Sequence, residues 1–335
     1  MIRISKTDRQ LDNLAKKHSQ LLKDPPFLID HLLSQAVQSE TGAVKALFTF
    51  FQSNIEKVLT ARPKELESLK SLLSPLWDAA ISQIVSSQPC CPSDAVKRLK
   101  KQVRKIFDYE KFVKYDDGRF AYQLATDLNC TVCPYCNRQF VFTLWEATKK
   151  TRPQFDHFLD KGDNPFFALS FFNLIPCCSI CNSSFKGTAT FSLASNLHPL
   201  VEGAEEIIRF TVGITSTGYM QGKDFLVKLQ KYRADVDPDR YKRAEENIRA
   251  FAVVELYNEH KDYVGDILKK AYVYNDRMVE ELLRYKGPAN RVLFAGKEEV
   301  VGFILGNYLS VGDLGKRPLA KLTRDLAQEL GLISS

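Results

Sequence analysis

Two pairs of closely spaced cysteines constrain this chain more than any other feature of its sequence. Residues 130–136 read CTVCPYC, and residues 177–181 read CCSIC. A Cys-x-x-Cys turn brings two thiolates to the separation that a tetrahedral Zn²⁺ needs, and two such turns complete its four ligands. The sequence therefore predicts a structural zinc with no open coordination position, bound by Cys133, Cys136, Cys178 and Cys181.

Two further cysteines, Cys130 and Cys177, are left over in this assignment. Both are expected to be small buried hydrophobic residues, although Cys130 could replace Cys133 as a zinc ligand. The chain opens with MIRISKTD, which lacks the apolar core of a signal peptide, and no apolar run is long enough to span a membrane. Because disulfides are rare in a reducing compartment, we expect a cytoplasmic protein with no membrane partner, whose cysteines bind metal.

Composition narrows the class of protein without identifying it. Of the 335 residues, 44% are hydrophobic and 26% are charged, which is typical of a soluble globular chain and argues against general disorder. This length allows one large domain or two to three ordinary ones. The formal net charge of +7 suits a polyanionic partner such as nucleic acid, but many basic proteins bind none.

Hydrophobic periodicity divides the chain into three regions. Residues 1–125 are expected to form a helical N-terminal region, because apolar residues recur there at helical spacing. Residues 126–200 combine the cysteines with short aromatic strands, and residues 201–335 are expected to begin with a strand pair and continue as helices. The fold class predicted is α+β and mainly helical, with a small zinc-containing module between helical N- and C-terminal regions.

The elements expected within these regions follow from the same patterns. The first region is predicted to hold helices at residues 11–22, 27–38, 43–59, 64–86 and 95–107. The second is predicted to hold strands at 138–145 and 152–159, then a helix at 178–186 that Gly187 ends. The third is predicted to hold strands at 206–213 and 224–232, then helices at 238–256, 260–286, 298–309 and 318–330.

One of these helices is strongly basic. Six of the nine residues at 97–105 are lysine or arginine. The helix could form a contact surface for a phosphate backbone. It could equally be a solvated helix whose Leu99, Val103 and Ile106 face the core. Both interpretations stay open at this point.

Between the two cysteine pairs lie polar residues that suit phosphodiester hydrolysis. Asp156 and His157 are adjacent, Asn173 follows further along, and Asn182 comes directly after the last zinc cysteine. Cleavage needs a base that activates water and positive charge that stabilises the phosphate and the leaving oxygen. His157 can be that base, because the ordinary pKa of histidine lies near neutral pH. Asp156 and Asn182 can present oxygen ligands to one Mg²⁺ or Mn²⁺.

The order of these residues resembles that of the zinc-supported HNH (ββα-metal) endonucleases. The match runs over residues 133–186 and consists of Cys-x-x-Cys, Asp-His, Asn and Cys-x-x-Cys-Asn. The resemblance implies a ββα unit with Asp156-His157 at the end of its first strand and Asn182, where other members have His, on its helix. Asn173 is then expected to tie the intervening loop to the strand that carries His157.

Two residues near this set have more than one interpretation. Lys186 lies one helical turn beyond Asn182 and could contact phosphate, or it could be an ordinary exposed lysine. His198 could supply a third metal ligand or a phosphate contact, or it could be a packed histidine that closes the module.

A second resemblance concerns the stretch NPFFALSFFNLIP at residues 164–176 and the later Leu197-His198-Pro199. Both are similar to the HNH subunits of Septu-type and retron-associated antiphage defence systems. That resemblance implies a nuclease that cleaves DNA or tRNA after infection, and an ABC-type ATPase as its protein partner. The chain has no Gly-x-x-x-x-Gly-Lys phosphate loop of its own, which is compatible with nucleotide sensing by a partner.

Two other functions compete with this one. A zinc-stabilised nucleic-acid-binding or adaptor module would explain the cysteines and the basic helix, but it would leave Asp156, His157 and Asn182 without a purpose. A stand-alone restriction or homing enzyme would use the helical flanks to read sequence.

Overall fold

The computed structural model describes residues 1–87, 90–216, 218–219 and 223–334. Within these ranges the chain is mainly helical, with three antiparallel sheets of two strands each. The coarse prediction of a mainly helical α+β fold is therefore confirmed. None of the helices in the described ranges is long and apolar enough to cross a membrane.

The N-terminal region is helical, as predicted. Thr7 caps the first helix with a capping box, and Pro63 occupies the first turn of the fourth, where a missing N–H costs nothing. Two short helices near its end were not predicted, since each is too brief for a clear apolar period. The seven helices are α1 (Asp8–Lys23), α2 (Ile29–Ser39), α3 (Gly42–Thr60), α4 (Pro63–Ser87), α5 (Pro92–Ile106), α6 (Tyr109–Lys114) and α7 (Arg119–Leu128).

The central region contains two small hairpins and a π-helix. Its strands are β1 (Leu144–Trp145), β2 (Lys150–Thr151), β3 (Gln154–His157) and β4 (Leu174–Cys177), and the π-helix spans Ile180–Lys186. The prediction of a strand over 138–145 is wrong for most of its length. Backbone groups at Gln139 and Val141 bond instead to Cys133 and Thr131, so this segment folds against the first cysteine turn.

The C-terminal region opens with the predicted strand pair, β5 (Ile208–Ile214) and β6 (Phe225–Lys231). The helices predicted at 238–256 and 260–286 are each divided in two. Ala252 has a positive φ of 45°, which ends the first, and Asn275 caps a new helix inside the second. The helices are α8 (Pro238–Ala250), α9 (Val253–Asn258), α10 (Lys261–Val273), α11 (Asp276–Leu283), α12 (Lys297–Leu305) and α13 (Ala320–Glu329).

One continuous hydrophobic core joins the three regions. The N-terminal helices meet the central region through buried polar contacts as well as apolar ones. His18 on α1 is 5% exposed, and its Nε2 lies 2.9 Å from the carbonyl oxygen of Leu169. Because a carbonyl can only accept, Nε2 carries the proton and donates it. Burial lowers the pKa of His18 to about 4, so the ring is neutral in the folded protein.

This histidine predicts a pH dependence of stability. The folded pKa lies below the unfolded value near 6.5, so the unfolded chain binds a proton first as the pH falls, and stability is lost between about pH 6.5 and 4. His18 alone should lower the free energy of unfolding by about 2 kcal/mol between pH 8 and pH 5. Urea unfolding of His18→Asn at both pH values should show a loss smaller by that amount. His31→Asn, at an exposed position, is the matched control. If His18→Asn lost as much stability between pH 8 and pH 5 as the unaltered protein, the assignment would be contradicted.

Candidate functional site

The four cysteines of the two predicted pairs meet in the folded chain. The sulfur atoms of Cys133, Cys136, Cys178 and Cys181 all lie within 4.8 Å of one another, and all four residues are buried. Around a tetrahedral zinc with Zn–S near 2.3 Å, sulfur atoms stand about 3.8 Å apart. The donor set and its spacing therefore fit a zinc ion, and this cluster could hold one.

Local backbone geometry explains how each turn presents its thiols. In the second turn, the N–H of Cys181 points at Sγ of Cys178 at 3.4 Å. The first turn ends at Asn137, whose φ of 49° lies in the left-handed region that asparagine tolerates. The Asn137 side chain accepts from the N–H of Lys321 and donates to the carbonyl of Leu314. The first turn is therefore anchored to α13, far away in sequence.

The thiols affect one another's ionisation because they are so close. Hydrogen bonds from the three neighbouring thiols lower the pKa of Cys178, and a hydrogen bond from Cys133 lowers that of Cys136. The pKa of Cys133 is raised, chiefly by burial, and the pKa of Cys181 is raised as well. Thiolates are the form that binds metal. Cys130 and Cys177 lie outside the cluster, as predicted: the Cys130 thiol donates to the carbonyl of Val132, and Cys177 is fully buried.

The β3–β4 hairpin and the π-helix bring the predicted catalytic residues to one place. In the hairpin, Asp156 pairs with Ile175 and His157 with Leu174. In the π-helix the N–H of Gly187 bonds to the carbonyl of Asn182, five residues earlier. This wider turn brings residues five apart toward the same face, so Cys181 and Lys186 are both buried while Asn182 stays at the surface.

An open cavity of about 400 Å³ lies at the end of this hairpin. Asp156, His157 and Asn182 all line it, together with Asp160 and Lys161 from the loop that follows β3. The sequence pattern predicted that the first three side chains would converge, and these three residues all line one cavity, although the Asp156 carboxylate itself is buried. The other lining residues include Tyr109, Arg152, Gln154, Ser183 and Thr188.

His157 is 6% exposed, and a carbonyl fixes the orientation of its imidazole. Nε2 lies 3.0 Å from the carbonyl oxygen of Ala168, and the ring of Tyr109 packs edge-on at 4.5 Å. Since the carbonyl can only accept, Nε2 is the protonated nitrogen and Nδ1 keeps its lone pair. Burial, followed by the positive charge of Lys161, lowers the pKa of His157 to about 3, so the ring is neutral at pH 7.

Asp156 forms a buried ion pair that the sequence did not predict. Its Oδ1 lies 2.9 Å from Nζ of Lys186, and its Oδ2 accepts from the hydroxyl of Tyr135 at 2.7 Å. Nζ of Lys186 also donates to the carbonyl of His157 at 2.7 Å. Burial raises the pKa of Asp156, and Lys186 and Tyr135 oppose that rise.

This contact corrects both predictions for Lys186. The side chain is only 1% exposed, so the residue is neither a surface lysine nor placed to reach a phosphate in solvent. It crosses from the π-helix to the hairpin and neutralises Asp156 instead. The wide turn of the π-helix, which sequence patterns do not reveal, is what turns Lys186 inward.

Asn173 and Asn182 occupy different environments. Asn173 is 1% exposed, and its side chain bonds to both the N–H and the carbonyl of Leu159 and to the carbonyl of Phe167. It thus ties the intervening loop to the end of β3, as expected, and acts as a positioning residue. Asn182 donates through Nδ2 to the side chain of Gln154 at 2.8 Å, which leaves its carbonyl oxygen for the cavity.

The structure also decides between the interpretations of His198. This residue is 1% exposed, its Nε2 bonds to the carbonyl of Phe172 at 2.8 Å, and its ring packs on Phe158. It does not line the cavity that holds His157. The suggested metal or phosphate contact is therefore wrong, and the interpretation as a packed histidine is confirmed.

Two cations on the cavity were missed in the sequence. Lys161 lies over the ring of Tyr109 at 4.2 Å, and burial lowers its pKa. Arg152 lies over the ring of Phe155 at 5.6 Å. Basic residues do flank Asp156-His157 in the sequence, but such residues are too common in surface loops to be singled out as part of a site.

The basic helix α5 lies beside this cavity. Lys100 pairs with Asp163 at 3.4 Å, and the charge of Arg104 contributes to lowering the pKa of Lys161. Leu99, Val103 and Ile106 are buried, so the helix orients its apolar stripe inward as predicted. The positive face of α5 thus continues the positive charge of the cavity.

Comparison with known proteins assigns this chain to no family. The chain matches no family model, no curated protein and no solved structure. Its function must therefore be argued from the site itself.

The cysteine cluster predicts a defined metal content. Purified protein should carry one zinc per chain by plasma mass spectrometry, and Cys181→Ser should lose it and unfold at much lower temperature, because structural zinc contributes roughly 10 kcal/mol to small metal-stabilised folds. The exposed Cys91, changed to Ser, is the control and should keep both zinc and stability. Full zinc content in Cys181→Ser would contradict the assignment.

The buried pair predicts a large effect of one substitution. Lys186→Met should destabilise the protein by about 3–5 kcal/mol in urea unfolding, because it leaves the Asp156 carboxylate buried without its cation. Adding Asp156→Asn should recover much of that loss. Lys97→Ala, which breaks an exposed pair with Asp94, should cost under about 1 kcal/mol. Equal costs for Lys97→Ala and Lys186→Met would show that the buried pair has no special importance.

Proposed function

We propose that this protein is a metal-dependent endonuclease of the HNH type that hydrolyses phosphodiester bonds in nucleic acid. The observation that carries the proposal is the convergence of Asp156, His157 and Asn182 on one cavity. A strand hairpin and a helical turn supply these residues, and the four-cysteine cluster could hold the start of that helical turn against the turn at Cys133 and Cys136. Two strands followed by a helical turn, here a π-helix, support the proposal of a ββα-metal unit.

The chemistry proposed for His157 follows from its hydrogen bond. Nε2 donates to the carbonyl of Ala168, which leaves Nδ1 as the base that can take a proton from water. A buried imidazole with a pKa of about 3 is a weak base. The negative charge of a bound phosphate beside it would raise that pKa and so favour proton uptake when substrate is present. The fixed tautomer keeps the accepting nitrogen defined before substrate binds.

The oxygen donors around the cavity suit a hard divalent cation. Asn182 offers a side-chain carbonyl oxygen, and Asp156 and Asp160 offer carboxylates. Asp156 is the more constrained of the two, because Lys186 and Tyr135 already bind its oxygens. We propose that Asn182 and Asp156 hold Mg²⁺ or Mn²⁺, with Asp160 as a further oxygen donor. When bound, such a cation supplies charge stabilisation to the phosphate and the leaving oxygen.

Positive side chains would bind the substrate backbone. Lys161 and Arg152 line the cavity. Next to Lys161, the basic face of α5 runs from Arg104 toward Lys100. Phosphate contacts of this kind bind nucleic acid without reading its sequence. We propose that α5 holds the strand on either side of the bond that is cleaved.

The setting proposed for this activity is antiphage defence, with an ABC-type ATPase as the controlling partner. This part rests on the sequence resemblance of residues 164–176 and Leu197-His198-Pro199. Exposed apolar side chains on the C-terminal region, among them Tyr272 and Val292 at 76% and 69% exposure, favour a protein partner there. The same surface favours the alternative of a non-catalytic adaptor, which the next experiment separates from a nuclease.

The nuclease proposal predicts cleavage that depends on His157. Protein incubated with plasmid DNA or total tRNA should cut one of them in Mg²⁺ or Mn²⁺. His157→Ala should lower the rate about 10²–10⁴-fold. Asn182→Ala should also be strongly impaired, whereas His31→Ala, at an exposed position on α2, should keep full activity.

Circular dichroism and zinc content of each variant confirm that it has folded. Full activity in His157→Ala would contradict the assigned base. Binding of nucleic acid without cleavage in Mg²⁺, Mn²⁺ or Ni²⁺ would favour the adaptor module over the nuclease.

A further inference from the structure

A second polar cavity lies away from the candidate active site, where β5 and β6 meet α13. Its volume is about 430 Å³, and it shares no lining residue with the cavity at His157. Three of its five lining residues are arginines. The full lining is Glu206, Arg209, Tyr232, Arg233 and Arg324.

These arginines lack the carboxylate partners that would neutralise them. In the described part of the chain, Arg209 and Arg324 make no ion pair within 4.0 Å, and Arg233 has only a long contact of 3.9 Å to Asp235. Nε of Arg209 and one terminal nitrogen of Arg324 are buried with no hydrogen-bond partner among those residues. Buried charged donors are normally paired, so these two atoms point to a missing acceptor.

Nearby acidic groups do not provide that acceptor. Asp325, next to Arg324 on α13, bonds through Oδ2 to Nζ of Lys321 at 2.5 Å and to the N–H of Phe210. Its Oδ1 is buried and makes no hydrogen bond to either arginine, although its charge acts on Arg324 from close by. Glu206 is the one carboxylate on the cavity wall, and it is exposed. Three guanidinium groups against one carboxylate leave the cavity with an excess of positive charge.

Tyr232 holds two of the arginines in place. The guanidinium of Arg209 lies 5.4 Å from the Tyr232 ring centroid, and that of Arg233 lies 5.7 Å from it. The hydroxyl of Tyr232 accepts from Nε2 of Gln328 at 3.2 Å, which fixes the ring against α13. Arg209 and Arg233 therefore already pack on one ring in the absence of a ligand, and such packing lowers the entropic cost of binding.

We propose that this cavity binds the phosphoryl group of a small phosphorylated ligand. Guanidinium groups match phosphate oxygens with paired N–H donors, and a cluster of them is the usual protein solution for a multiply charged phosphoryl group. The volume accommodates more than one phosphate, and Glu206 can accept hydrogen bonds from ligand hydroxyls, so a nucleotide fits the wall chemistry as well as free phosphate or diphosphate. The site is independent of the nuclease chemistry.

Calorimetric titration of the full-length protein tests this proposal. The probes are inorganic phosphate, pyrophosphate and ATP, each added without divalent metal so that the candidate nuclease cavity does not take part. At least one should bind with a stoichiometry of one, and the probe that binds most tightly separates free phosphate from a nucleotide. Arg324→Gln should weaken that binding about tenfold or more, the value of one charge-assisted contact.

Further variants distinguish a loss of binding from a loss of folding. Arg233→Gln alters an exposed residue and should weaken binding without changing the unfolding temperature. Arg277 pairs with Glu281 outside the cavity. The variants Arg277→Gln and His157→Ala should therefore bind the probe as the unaltered protein does. No binding of any probe, or binding by Arg324→Gln and Arg233→Gln as tight as that of the unaltered protein, would overturn the proposal. Binding of an oligonucleotide but of none of the three small probes would also overturn it.

Discussion

The meeting of four thiols between the turn at Cys133 and Cys136 and the start of the π-helix is the interaction on which the rest of the site depends. The hairpin β3–β4 has four residues in each strand, and the π-helix has seven. Elements this short are not stable alone. The cysteine cluster fixes the start of the π-helix, and Lys186 fixes its end to Asp156. Two cross-links at opposite ends of one helical turn determine where Asn182 lies relative to His157.

Burial dominates the electrostatics of this region. It raises the pKa of Asp156 and lowers that of His157. The structure gives Asp156 two defined partners, Lys186 and Tyr135, and gives His157 the carbonyl of Ala168. The Asp156–Lys186 pair cancels its own charge, while the cavity beside it keeps Lys161 and Arg152 as cations facing solvent. A neutral interior next to a rim that carries these cations suits the anionic substrate proposed above and leaves no charge buried without a partner.

Sequence patterns predicted the parts of this fold that depend on local spacing. The helices of the N-terminal region, the β5–β6 pair and the choice of Cys133 over Cys130 follow from apolar period and ligand spacing. Features that depend on distant contacts were missed. The inward turn of Lys186 requires a π-helix, the loss of the strand at 138–145 follows from backbone bonds to the cysteine turn, and the Arg209–Arg324 cluster joins residues 115 positions apart.

Zinc K-edge X-ray absorption of the purified protein distinguishes a closed four-cysteine site from other sites, because it reports the ligands of the metal rather than its amount. We expect a shell of four sulfur atoms at about 2.3 Å and no nitrogen or oxygen in it. A shell that contains nitrogen or oxygen would show that the cysteines do not close the site. The junction between the first cysteine turn and the π-helix would then have to be held by some other interaction.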